Sequence, residues 1–173
     1  MQRLLIPASL TALLFSGAIF GFFYAWICST MWGLDTLDPR IAIPAMQAMN
    51  DSVRNAVFAP AFFGTPLVCA LAAAVAFGTG NTAATYAFAA AALVYGLGGM
   101  VLTMAINVPM NRALGALEVP QDLAEAQAIW QAYSPRWQVF NTLRTVASGV
   151  ALLLAGYGLV ANVPRPSPTQ GLP

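Results

Sequence analysis

Three residues near the start of the last apolar stretch could do chemistry together. Trp137, Asn141 and Arg144 stand at i, i+4 and i+7, which puts all three on one face of a helix. An earlier stretch, NVPMNR, contributes Asn107 and Asn111, four apart, with Arg112 beside the second amide. A third approach brings Asn50, Arg54 and Asn55, and Trp130, Tyr133 and Phe140 add aromatic surface nearby. Carboxamides donate and accept hydrogen bonds, whereas guanidinium groups only donate. Set among apolar walls, with the positive end of a helix aimed at them, such groups suit a flat, oxygen-rich, partly anionic ligand, aromatic or quinone-like.

Blander roles stand open beside that one. Trp130 and Trp137 are also what an aromatic belt at lipid headgroups looks like. Asn107 and Asn111 could satisfy carbonyls freed by Pro109. Arg54, Arg112 and Arg136 could each pair with a lipid phosphate or a nearby aspartate, and Glu118, Asp122 and Glu125 read as a solvated face.

The elements that must hold these residues are set by composition. The chain has 173 residues, of which 59% are hydrophobic and 8% charged, and its mean hydropathy is +0.70. An ordinary soluble domain carries about 25% charged residues, so too few are present to build a water-soluble surface. Long apolar runs then define an integral membrane protein. The opening run from Leu4 to Trp32 carries no charge and is longer than the roughly 7–15 residues of a secretory signal's apolar core, so it reads as a retained span. The net charge of +1 comes with no basic cluster and gives no reason to expect nucleic acid as a partner. Histidine and lysine are both absent, which removes bis-histidine haem, most zinc and copper sites, and Schiff-base chemistry. Cys28 and Cys69 fall at different depths and read as small buried apolar residues.

The expected fold is all-α, an integral membrane four-helix bundle with two amphipathic cap segments on one side. Spans are expected at about 4–31, 56–77, 83–107 and 135–162 in a single domain over 1–162, with a proline-rich tail over 163–173. GAIFG (17–21) and GLGG (96–99) supply small residues for close helix approach; the former leaves a homo-oligomer open. Pro66 should kink the second span, Pro109 should end or bend the third, and Ser134 with Pro135 should cap and open the fourth. The segments 33–55 and 108–136 fall on one side, where Ile43, Met46, Met49 and Val53 give one cap segment a buried face, and Leu123, Ala126, Ile129, Trp130 and Tyr133 give the other. All six acids and five of the seven arginines belong to that side. The arginine excess orients the cap toward the cytoplasm of a cell (inner) membrane. Arg144 lies roughly 14 Å along the helix from Pro135, and a charge that deep should face the bundle interior or a wet cavity.

GFFYAW (21–26), GLDTLDPR (33–40) with AMQAMN (45–50), RNAVFAPAFFG (54–64), NVPMNRAL (107–114), and then Trp130, Tyr133, Trp137, Asn141 and LRT (143–145) resemble the anthrone oxygenase-like family of small four-span membrane proteins. The resemblance runs from about residue 17 to 155. Pro44 departs from the pattern and would shift the start of the first cap helix. The resemblance implies oxidation of an anthrone-type polycyclic phenol, or a related enolisable ketone, to a quinone. Molecular oxygen would be the co-substrate, with no cofactor and no metal. It implies Arg144 as the group facing the anion, Asn141, Asn107 and Asn111 as orienting donors or acceptors, and Trp137 as a stacking wall. Arg112 and Arg54 would complete the binding set. With no histidine, the base would be Asp51, a tyrosine such as Tyr133, or none beyond ionisation of the substrate itself. A non-catalytic membrane module that binds a lipid, quinone or partner protein through the same cap is the alternative. A carrier is a third reading, though no broken-helix repeat is visible.

Overall fold

A computed structural model describes residues 1–163; from residue 164 on, the proline-rich tail lies outside the described residues. Four helices are long and apolar enough to cross a membrane: Gln2–Asp35, Phe58–Gly78, Thr82–Gly115 and Leu123–Ala161. No strand occurs among the described residues. Each span packs on its neighbours in chain order and the first closes on the fourth, so the bundle is square with little contact across its diagonals. One separate cap helix, Pro39–Ser52, lies over one end. Asp38 caps it, accepting from the Arg40 backbone N–H at 2.8 Å, with Pro39 in the first turn, a position where a missing N–H costs little. The Arg40 guanidinium on the same carboxylate holds Asp38 below the usual carboxylate range. Pro44 sits inside this helix without displacing its start. Ala42, Ile43 and Met46 are buried beneath it.

The second cap segment differs from expectation. It is no separate helix: the fourth span begins at Leu123, capped by Asp122, and runs unbroken through Pro135 to Ala161. Asp35, at the end of the first span, supplies the reason. Its Oδ1 accepts from Trp130 Nε1 at 2.9 Å and from Ser134 Oγ at 2.7 Å, and its Oδ2 from Gln138 Nε2 at 2.9 Å. These three side chains, spaced four apart, grip one carboxylate across the proline, so a proline that elsewhere opens a helix is bridged. Ser134 is part of this clamp and not an N-cap. Trp130 is buried and is no headgroup belt residue.

Prolines inside the other spans are accommodated too. Pro66 has no N–H for the carbonyl of Phe62 four residues back, and the Tyr95 hydroxyl donates to that oxygen at 2.9 Å from the third span. Pro109 does not end the third span, which continues to Gly115; π-helical turns at Gly96–Val101 and Thr103–Asn107 precede it, the kind of local widening that prolines in spans use. Gly98 lets the third span meet the fourth, since a Cβ there would stand 2.7 Å from Ala147 Cβ. In GAIFG, by contrast, a Cβ on Gly17 would make only ordinary contact with Leu152 of the fourth span at 3.9 Å and one on Gly21 would meet nothing within 4 Å, so neither glycine is required there by a close approach. Cys69 is buried as expected, but Cys28 is exposed.

Two apolar clusters result. One fills the bundle around Ile19, Phe23, Phe88, Tyr95 and Ala151; the other joins the cap helix to Trp26, Met31, Trp130 and Trp137. Between them lies a polar layer of Thr103, Asn107, Asn141 and Arg144, all buried.

Candidate functional site

The polar layer opens on a cavity of about 460 Å³, within the roughly 300–1,000 Å³ of small-molecule sites. Phe22, Phe23, Trp26, Phe58, Phe62 and Trp137 are among its walls. Arg144 and Thr103 stand at its inner end, and Asn50, Arg54, Asn111 and Arg112 line it on the cap side. Among the described residues, three arginines line the cavity and no carboxylate does.

Arg144 is 5% exposed. Its Nε donates to Asn141 Oδ1 at 2.8 Å and its Nη1 to Thr103 Oγ1 at 3.3 Å. The guanidinium carbon lies 4.3 Å from the Phe23 ring centroid and 5.0 Å from that of Trp137, so aromatic faces partly compensate its charge. A guanidinium has five N–H groups; two are used, and the rest have no partner among the described residues. The two ion pairs among those residues, Arg40–Asp38 and Arg54–Asp51, are both at the cap surface. Taking a lone cation out of water costs several kcal/mol unless something pairs with it. The folded protein holds Arg144 there all the same, aligned by a carboxamide and a hydroxyl, with its unused donors at the cavity.

The partners of Arg144 are themselves fixed. Asn141 is fully buried and donates through Nδ2 to the Phe23 carbonyl at 3.2 Å, which orients its oxygen toward Arg144. Thr103 donates to the Gly99 carbonyl at 2.6 Å, leaving its lone pairs for the guanidinium. Asn111 accepts from Trp137 Nε1 at 2.8 Å and from the Tyr133 hydroxyl at 2.9 Å, so it locks the aromatic wall. Neither amide of NVPMNR braces a carbonyl freed by Pro109. Asn107 is fully buried; its Nδ2 reaches the Trp137 carbonyl at only 3.5 Å, and its Oδ1 is the one buried side-chain oxygen or nitrogen without a partner among the described residues.

The sequence-predicted residues thus separate into groups. Arg144, Trp137, Asn111, Arg112 and Arg54 line the cavity. Asn141 and Tyr133 stand behind the lining and hold it in place, with Asn50 Nδ2 3.4 Å from the Tyr133 hydroxyl. Asp51 is not brought in: its side chain is 87% exposed, 3.9 Å from Arg54, because the end of the cap helix turns it to the outer surface. Asn55 also lines the cavity, but its Oδ1 is taken by the backbone, accepting from the N–H groups of Val57 and Phe58 at 2.8 and 2.9 Å. The expected field from the start of the fourth span is also absent, since Leu123 lies about 27 Å along the axis from Asn141, well beyond the reach of a helix terminus. Thr103 and Phe23 were missed. Thr103 carried a signal, being four residues before Asn107 and so on the face that presents Asn107 and Asn111.

Phe22, Trp26, Val53 and Phe58 line both the cavity and a second hollow of about 450 Å³ between the first and second spans; Phe22 and Phe58 meet there with ring centroids 4.7 Å apart. Among the described residues no three His, Cys, Asp or Glu side chains gather as a metal site requires.

The model of a family described as anthrone oxygenase matches residues 54–154. No curated protein and no solved structure matches the chain.

Proposed function

From the chain's membership of the anthrone oxygenase family, we propose that it oxidises an anthrone-type polycyclic phenol, or a related enolisable ketone, with molecular oxygen and without a cofactor. The observation that carries this reading is Arg144: a buried guanidinium with unused donors, no carboxylate partner and an aromatic-walled cavity in front of it. Loss of a proton from the methylene between the rings turns the ring ketone into an enolate oxygen. Donors already fixed in a dry site stabilise that oxygen without reorganising. Among the described residues no carboxylate lines the cavity, so this reading rests ionisation of the substrate on Arg144, with the proton passing to water at the cap-side mouth.

The electron-rich carbanion form gives one electron to oxygen. Recombination of the resulting pair forms a C–O bond, and a proton returned from water completes a hydroperoxide on the former methylene carbon. Loss of the remaining C–H proton then breaks the O–O bond, leaving a carbonyl and releasing water. One O2 is consumed, one oxygen atom enters the product, and the other leaves as water. Phe23 and Trp137, which stand against the guanidinium and line the cavity, offer flat apolar surface on which the substrate rings would lie. The reading also puts the cap on the cytoplasmic side of a cell membrane, supported by the arginine excess there.

The test is oxygen uptake by purified protein supplied with a hydroxylated anthrone. One O2 per anthrone is expected, with label from 18O2 in the new carbonyl. Binding of the anthrone with no uptake above the detergent blank would favour a non-catalytic ligand-binding module instead.

A further inference from the structure

The charge around the cavity exceeds what one enolate needs. Arg144 at the inner end already faces the reacting oxygen, yet Arg54 and Arg112 line the same space on the cap side, with no acid among the lining residues. Both also line an outer groove with Asn50, Asn111 and one carboxylate, Asp51, so they stand where the cavity meets water. Arg54 has only a loose partner: Asp51 is 3.9 Å away, with side chains 56% and 87% exposed, and exposed pairs of that kind hold weakly. Arg112 makes no ion pair among the described residues.

The two cationic ends are spaced along one helix. Thr103, which touches Arg144, and Arg112 are nine residues apart on the third span, roughly 13 Å along the axis at 1.5 Å per residue. An arginine side chain reaching back covers part of that distance, leaving a gap suited to a few fused rings. A ligand that fills the cavity from end to end therefore meets a donor cluster at each end and apolar rings between.

We propose that the ligand carries a second, permanent negative charge: a carboxylate on an outer ring, recognised by Arg112 with help from Arg54. This rests on the enolate being at Arg144 and adds the feature that selects among polycyclic phenols. The carboxylate gives specificity and a fixed orientation, since only one way round brings the ring ketone's oxygen to Arg144. Phosphate of an anionic lipid offers similar chemistry to the same two arginines, and the experiment separates the two sources.

Binding is measured by quenching of tryptophan fluorescence in neutral-detergent micelles, because Trp26 and Trp137 line the cavity. The probes are anthraquinone and anthraquinone-2-carboxylate, both inert to oxygen, so the readout is independent of turnover. The native protein is expected to bind the carboxylate about tenfold tighter, as a charge-assisted contact near a wet rim allows. In Arg112→Gln that ratio falls to about one, and Arg112→Lys restores part of it. Equal affinities in the native protein, or a preference that survives Arg54→Gln with Arg112→Gln, overturn the proposal while leaving the site itself standing. Failure of both probes to bind overturns it together with the oxygenase reading. Quenching abolished by added anionic lipid, with no carboxylate preference, assigns the arginines to headgroups and overturns it as well.

Discussion

Replacing Arg144 by methionine separates the two roles a buried arginine can have. The native side chain holds Asn141 Oδ1 at 2.8 Å and Thr103 Oγ1 at 3.3 Å and stacks 4.3 Å from Phe23. Stranding the Asn141 oxygen costs about 1–3 kcal/mol, and losing the ring contact about 0.5–2 kcal/mol. In the other direction, the variant no longer buries an unpaired cation, whose desolvation costs several kcal/mol. The opposing effects nearly cancel, so stability in mild detergent should change by no more than about 2 kcal/mol. Turnover has no such compensation. Loss of a preorganised donor at a developing oxyanion costs about 2.7–4 kcal/mol, or about 10²–10³ in rate. The assay pairs an oxygen electrode, with a hydroxylated anthrone as substrate, with denaturant or thermal unfolding of the same preparation. A variant destabilised by about 3–5 kcal/mol, the loss typical of breaking a buried pair, would refute the reasoning. So would one that keeps more than about a tenth of the native rate.

Three further outcomes follow from the same geometry. Asn141→Asp puts a carboxylate where Arg144 Nε now donates at 2.8 Å; the ion pair offsets the lost donor to the Phe23 carbonyl, and affinity for an anionic hydroxyanthraquinone should fall by about 10²-fold, read by fluorescence quenching, because the free cation becomes an ion pair. Tyr95→Phe strands the Phe62 carbonyl that Pro66 leaves without a helix partner and should cost about 1–3 kcal/mol in unfolding. Adding Pro66→Ala should recover most of that by returning an N–H to the same oxygen, and additive losses would disprove the link. Asp51→Asn should leave oxygen uptake within about twofold of native, as expected for a surface carboxylate outside the cavity; a loss of tenfold or more would return it to the role of base.

Arg144, Asn141 and Trp137 were legible because helical spacing alone puts them on one face, and a span must turn a charge inward. The approach of Asn111 to the same end was legible for a similar reason. Pro135 misled: local rules make Ser-Pro a helix start, and only the contact of Asp35 with Trp130, Ser134 and Gln138, 95 to 103 residues away in sequence, carries the helix past it. Asp51 misled because a cap helix has two faces, and its register relative to the cavity depends on how Ile43 and Met46 seat beneath it. Thr103 stayed hidden as one hydroxyl in an apolar run, where a bond to its own helix is the ordinary expectation; it makes that bond and holds Arg144 as well.

The most direct measurement is the ionisation of a bound dye. A hydroxyanthraquinone changes its visible spectrum when its phenol loses a proton, so its apparent pKa can be titrated in protein–detergent complexes and in empty micelles. A free guanidinium at the cavity end should lower that pKa in the native protein by about 1–2 units relative to micelles, and the shift should vanish in Arg144→Met. An unchanged or raised pKa on binding, or an equal shift in the variant, would contradict the claim that Arg144 is held unpaired to receive an oxyanion.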